Sequence, residues 1–132
     1  MTPIPPGPSR RHLKPGHEAE QQACDHLQRQ GLILVERNYR SPYGEIDLIM
    51  RHAGALVFVE VRYRKSVRFG SPAETVDRRK QMKIRATAEH YLQCHIQRAG
   101  VSCRFDVVAL TSASGSGPES PKITWLRDAF GI

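Results

Sequence analysis

The sequence predicts an α/β domain on a mixed sheet: a three-strand antiparallel meander, then a helix crossing over to a parallel strand, with helices flanking the sheet. Three observations predict it. Gly44–Met50 and Ala55–Arg64 are apolar, β-branched runs on either side of the polar break Arg51-His52-Ala53-Gly54, the pattern of a hairpin. Leu32–Arg40 is a similar run, joined to the hairpin by Ser41-Pro42-Tyr43-Gly44, where Pro presets φ and Gly tolerates φ > 0. A long helical stretch, Val76–Ala99, separates the hairpin from a further apolar run, Val101–Thr111, and a strand–helix–strand connection returns to a parallel neighbour.

In chain order, Met1–Pro15 has several Pro and Gly and few large apolar side chains, so it is expected to be a disordered leader before one domain over residues 16–132. Gly16–Gln30 reads as a helix: Ala19, Ala23 and Leu27 recur every four residues beside Cys24, and Gly31 follows at the stop position. After the meander, Lys65–Thr75 reads as a loop rich in cations, with Phe69 either stacking on a base together with Tyr63 or pinning the loop to the core. In Val76–Ala99, Ile84, Ala88, Tyr91, Leu92 and Ala99 trace an apolar stripe, and Gly100 ends the helix. Its first turns carry Arg78, Arg79, Lys80, Lys83 and Arg85, which oppose the helix dipole and suit anion binding instead. Ser112–Pro121 is a Ser/Gly/Pro-rich loop, Lys122–Leu126 a last short strand, and Asp128–Phe130 a cap on the core.

Two acids interrupt the apolar strands. Asp47 lies inside the first hairpin strand and Glu60 inside the second, at comparable distances from the turn. Burying an ionised carboxylate without a partner costs several kcal/mol or neutralises it, so something must compensate them. Strand alternation puts Glu45, Asp47 and Ile49 on one face, and Glu60 with Arg62 on one face of the next strand. Two carboxylates meeting there, with a cation two residues on, form a site for a hard divalent ion such as Mg²⁺. The alternative is a solvated ion-pair patch, which the apolar setting argues against. Glu20, at the edge of the first helix's apolar stripe, either reaches over the sheet toward Asp47 or stays in solvent. Asp106 either pairs with a basic residue or joins the site, and the structural role is favoured.

Composition narrows the function. In 132 residues the formal charge is +7, and the pI is near 9.8. Such an excess suggests a polyanionic partner, nucleic acid first. No run is apolar and long enough to span a bilayer, and Pro stands where a signal peptide would be apolar. Three widely spaced Cys make neither a disulfide framework nor a Cys-x-x-Cys zinc pair, so a cytoplasmic location is the default expectation. No phosphate-cradling glycine loop is present.

These residues together resemble the YraN-like family of small bacterial proteins, described as uncharacterised and predicted to be endonucleases. The resemblance runs from about Gly16 to Leu110. It rests on Gly16-His17-Glu18-Ala19-Glu20 with Ala23 and Leu27, on Arg37-Asn38-Tyr39-Arg40, and on the strands Gly44–Ile49 and Phe58–Arg64. Phe69-Gly70, Lys80 and Arg104–Val108 also fit. It implies a restriction-endonuclease-like fold and the Asp…Glu-x-Lys nuclease constellation. Carried over by position, Asp47 and Glu60 become metal ligands and Glu20 a supporting acid. This chain departs at Arg62, which stands where the constellation has Lys. Arg stays protonated and serves as a charge stabiliser rather than a general base.

The expectation is therefore a metal-dependent DNA endonuclease, with branched or damaged DNA among its candidate substrates. Asp47, Glu60 and Glu20 would hold Mg²⁺ or Mn²⁺, with the Val61 carbonyl a further ligand. Arg62 would stabilise the transition state, while Arg64, Arg68, Lys80 and Lys83 position the phosphate backbone. The alternative is a catalytically inactive nucleic-acid-binding or interaction module on the same fold. No membrane partner is expected. Symmetric cleavage of a branched substrate would need a homodimer, which nothing in the sequence specifies.

Overall fold

The computed structural model describes residues 15–64, 76–95, 100–111 and 121–131. Helix α1 spans Pro15–Arg29 and helix α2 Arg78–Cys94. The strands are β1 Ile33–Ser41, β2 Gly44–His52, β3 Ala55–Arg64, β4 Cys103–Thr111 and β5 Lys122–Phe130. They form one sheet in the order β1-β2-β3-β4-β5. β1, β2 and β3 are antiparallel neighbours, β4 pairs parallel to β3, and β5 returns antiparallel. The meander and the crossover are as expected, in a mixed α/β architecture consistent with a restriction-endonuclease-like fold.

The β2–β3 hairpin closes through Ala53 and Gly54, with φ of 49° and 85°, the left-handed pair that matches strand twist. Each helix covers one sheet face. Ala19, Ala23, Cys24 and Leu27 of α1 pack on Leu48, Met50, Val57, Val59, Val108 and Leu110. Ile84, Ala88 and Tyr91 of α2 pack on Ile46, Ile49, Phe58, Phe105 and Val107. The apolar stripes therefore do what their spacing requires.

Three boundaries differ from expectation. α2 starts after Asp77, whose carboxylate accepts the Lys80 N–H at 2.8 Å as an N-cap. It ends at Cys94, because the His95 imidazole takes the Tyr91 carbonyl at 2.8 Å, an acceptor that a further turn would have used. Residues 96–99, with Ala99 of the expected stripe, lie outside the described residues. So do the leader to residue 14, the 65–75 loop with Arg68 and Phe69, and residues 112–120. β5 runs on to Phe130 instead of stopping at Leu126 before a cap. A bulge absorbs the mismatch: Phe105 pairs with Phe130 but Val107 pairs with Leu126. Asp128 takes φ 52° there. Its N–H donates to the fully buried Asp106 at 2.9 Å. Asp106 also accepts from the Trp125 indole at 2.9 Å and from Arg104 Nε at 3.0 Å, so its role is structural.

Candidate metal centre

The centre begins with a break in strand alternation. In β2, Leu48 and Met50 face α1, whereas Ile46 and Ile49 both face α2. The phase resets at Asp47. The same happens opposite, in β1. Arg37 reaches α1, donating to Gln21 at 2.7 Å, yet Tyr39 packs edge-on against Tyr91 of α2. Between them Asn38 has φ 50°, and Asn is among the few non-glycine residues that adopt this region. Asn38 and Asp47 face each other across the ladder, between the pairs Arg37↔Leu48 and Tyr39↔Ile46. Strict alternation therefore fails at Asp47, since Ile46 and Leu48 face opposite helices.

The reset turns the Asp47 carboxylate along the sheet, into the space between β2 and β3. The ladder there ends at Leu48↔Val59, although both strands continue. Asp47 Oδ2 accepts the next free donor, the Val61 N–H, at 2.8 Å. A residue in an extended strand aims its N–H and C=O at the same neighbour, so the Val61 carbonyl opens on the same gap.

Two more acids reach Asp47 from opposite layers. Glu20 comes from α1 and hydrogen-bonds to Asp47. Burial first, then the Asp47 charge, pushes its carboxyl up to about 7. Glu60 follows Leu56 and Phe58 on the α2 face and is 5% exposed. Burial and then Asp47 push it too up to about 7, against the pull of Lys80 and Arg62. The three acids thus come together from α1, β2 and β3 around the Asp47 carboxylate.

Two cations attend Glu60. Lys80 Nζ lies 3.4 Å from Glu60 Oε1, nearer than Arg62 Nε at 3.8 Å. Lys80, expected to contact only phosphate, is thus drawn to the acids by its place in the capped first turn of α2. Lys83 is set apart, with its Cβ against Gly44 at the β1–β2 turn. Arg64 is exposed at the end of β3.

Sequence reasoning missed Asn38. With its amide nitrogen turned toward the acids, it donates to Glu20 Oε2 at 3.0 Å and to Glu45 Oε1 at 3.2 Å. Its signal was an Asn inside a strand, where its propensity is poor.

Glu20, Asp47, Glu60 and the Val61 carbonyl offer only oxygen donors, the ligand type that hard divalent cations take. Among the described residues, no three acidic, His or Cys side chains are placed so that together they could hold a metal ion. The acids instead lie close enough that Asp47 raises both Glu20 and Glu60.

Residues 19–110 match the family model described as uncharacterised protein family UPF0102. A UPF0102 protein of Nitrosococcus oceani is 47% identical over 121 residues, covering 92% of this chain and 94% of its own. One from Shewanella sp. strain W3-18-1 is 49% identical over 115 residues, covering 87% and 97%. Another, from Pseudomonas fluorescens, is 42% identical over 123 residues, covering 93% and 98%.

Proposed function

The chain belongs to the uncharacterised protein family UPF0102, and we propose that it is a metal-dependent endonuclease that hydrolyses phosphodiester bonds in DNA. The observation that supports this best is the meeting of Glu20, Asp47 and Glu60, from three elements, at one gap flanked by Lys80 and Arg62. Glu20, Asp47, Glu60 and the Val61 carbonyl would hold Mg²⁺ or Mn²⁺. The chemistry the ion supplies when bound is activation of a water and polarisation of the scissile phosphate.

The chain's own residues do the rest. The Val61 N–H orients Asp47, and Asn38 orients Glu20. Lys80 and Arg62 place positive charge beside Glu60, where charge develops on the phosphate. Arg62 stays protonated in this role. Arg64 and Lys83, with Arg68 from the sequence, contact the backbone without reading bases.

The experiment is cleavage of labelled single-stranded, duplex, flap and four-way-junction DNA with Mg²⁺, Mn²⁺ or EDTA, by wild type and Glu60→Ala. Metal-dependent products from wild type alone are expected. Binding without products in both proteins would sink the nuclease reading and leave a DNA-binding module. Arg62 in the lysine position favours that second reading, whereas Lys80 beside Glu60 favours the first.

A further inference from the structure

Tyr43, in the β1–β2 turn, is 57% exposed, the most open tyrosine or phenylalanine among the described residues. Its ring adds little to the core, yet the turn that carries it is tied down. The Ser41 hydroxyl accepts the Tyr43 N–H at 3.0 Å and donates to Thr87 of α2 at 3.1 Å. Thr87 in turn donates to the Lys83 carbonyl at 2.8 Å. Gly44 sits close on α2, where an added Cβ would stand 3.5 Å from that of Lys83. The Tyr43 ring meets His90 edge-on at 6.3 Å between centroids. The Tyr39 hydroxyl holds His90 Nδ1 at 2.6 Å.

This is an exposed aromatic face on a rigid mount. Exposed Lys83 lies alongside, and Arg40, with a side chain 80% exposed, precedes the turn and pairs with Glu45 at 3.8 Å. An exposed ring beside Lys83 is poor ground for an apolar protein partner, but it suits a base whose neighbouring phosphate needs positive charge. Paired bases inside a duplex keep their faces covered, so only an unpaired base can stack on it. Tyr43 precedes Asp47 by four residues of strand, roughly 13 Å at 3.3 Å per residue. That is about four nucleotides of stacked strand at 3.4 Å each.

We propose that Tyr43 is a stacking platform for an unpaired DNA base a few nucleotides from the phosphate at the acid gap. The preferred substrate is then duplex with a single-stranded flank, not continuous duplex. This deepens, and rests on, the reading that a DNA strand lies over that gap.

The test is fluorescence anisotropy with the full chain, in EDTA and again with Ca²⁺, on one duplex with and without a single-stranded tail. Wild type is expected to prefer the tailed duplex. Tyr43→Ala should bind it about 5- to 100-fold more weakly, with blunt-duplex affinity and thermal unfolding unchanged, and Tyr43→Trp should retain the preference. Equal losses on both duplexes, or no loss on either, overturn the proposal. A wild type that cuts no DNA but grips the tail through Tyr43 removes the nuclease and leaves the platform. One that cuts both duplexes alike, with Tyr43→Ala unaffected, removes the platform and leaves the nuclease. Failure of wild type to bind either duplex overturns both.

Discussion

Asn38 does two things that separate substitutions can tell apart. Its backbone adopts φ 50°, and its amide bridges Glu20 and Glu45. Asn38→Gly keeps the backbone and loses the amide, whereas Asn38→Ala loses both. Alanine at this φ is expected to be less stable than glycine by about 1 kcal/mol in urea unfolding. Both variants should show the same weakened stabilisation by Mn²⁺, because both release Glu20. Equal stabilities would mean that the left-handed backbone carries no strain for a side chain. Lys80 raises a different question, since it stands nearer Glu60 than Arg62 does. If it supplies transition-state charge, Lys80→Met should cut single-turnover cleavage by about 10²- to 10³-fold, with a smaller change in DNA affinity. A loss of affinity as large as the loss of rate would return Lys80 to simple phosphate contact. The sequence marked Lys80 only as a cation at a helix start. Its neighbour depends on which strand the helix begins over, and no local pattern records that.

At the scale of elements, regular periods were legible and interruptions were not. The stripes of α1 and α2 follow from 3.6-residue spacing, and β4 falls beside β3 because a helix separates them. The carboxylate pair was legible as well, since Asp47 and Glu60 stand out in apolar runs. The break in phase at Asp47 was not legible, because alternation assumes uniform dihedrals and Asn38 breaks that assumption. The length of β5 was hidden for a related reason. Its bulge depends on Asp106, more than twenty residues earlier, accepting the Asp128 N–H while bound to Arg104 and Trp125. Asp106→Ala would leave buried donors without their acceptor and is expected to cost about 3–5 kcal/mol in chemical denaturation. A loss under 1 kcal/mol would show that the bulge closes by other means.

For the whole molecule, the clustered acids couple folding to pH. Glu20 and Glu60 titrate near 7 in the folded chain, above their ordinary 4.5. A raised carboxyl contributes stability that is complete below the unfolded value and lost as pH rises through the folded one. In EDTA the melting temperature should therefore fall between about pH 5 and pH 8 from this source. Mg²⁺ or Mn²⁺ should restore more at the upper end than at the lower, since the ion favours the ionised acids. A divalent effect that is the same at both ends would mean that these carboxyls do not hold it. The gap between β2 and β3 also has a consequence for how the chain folds. One of its acids arrives from the helix before the meander, and its nearer cation from the helix after it. The hairpin can form from local contacts alone, but the ligand set proposed for an ion is complete only once the first helix has docked. Ion capture during refolding would therefore time the docking of that helix, a clock that hairpin formation by itself cannot start.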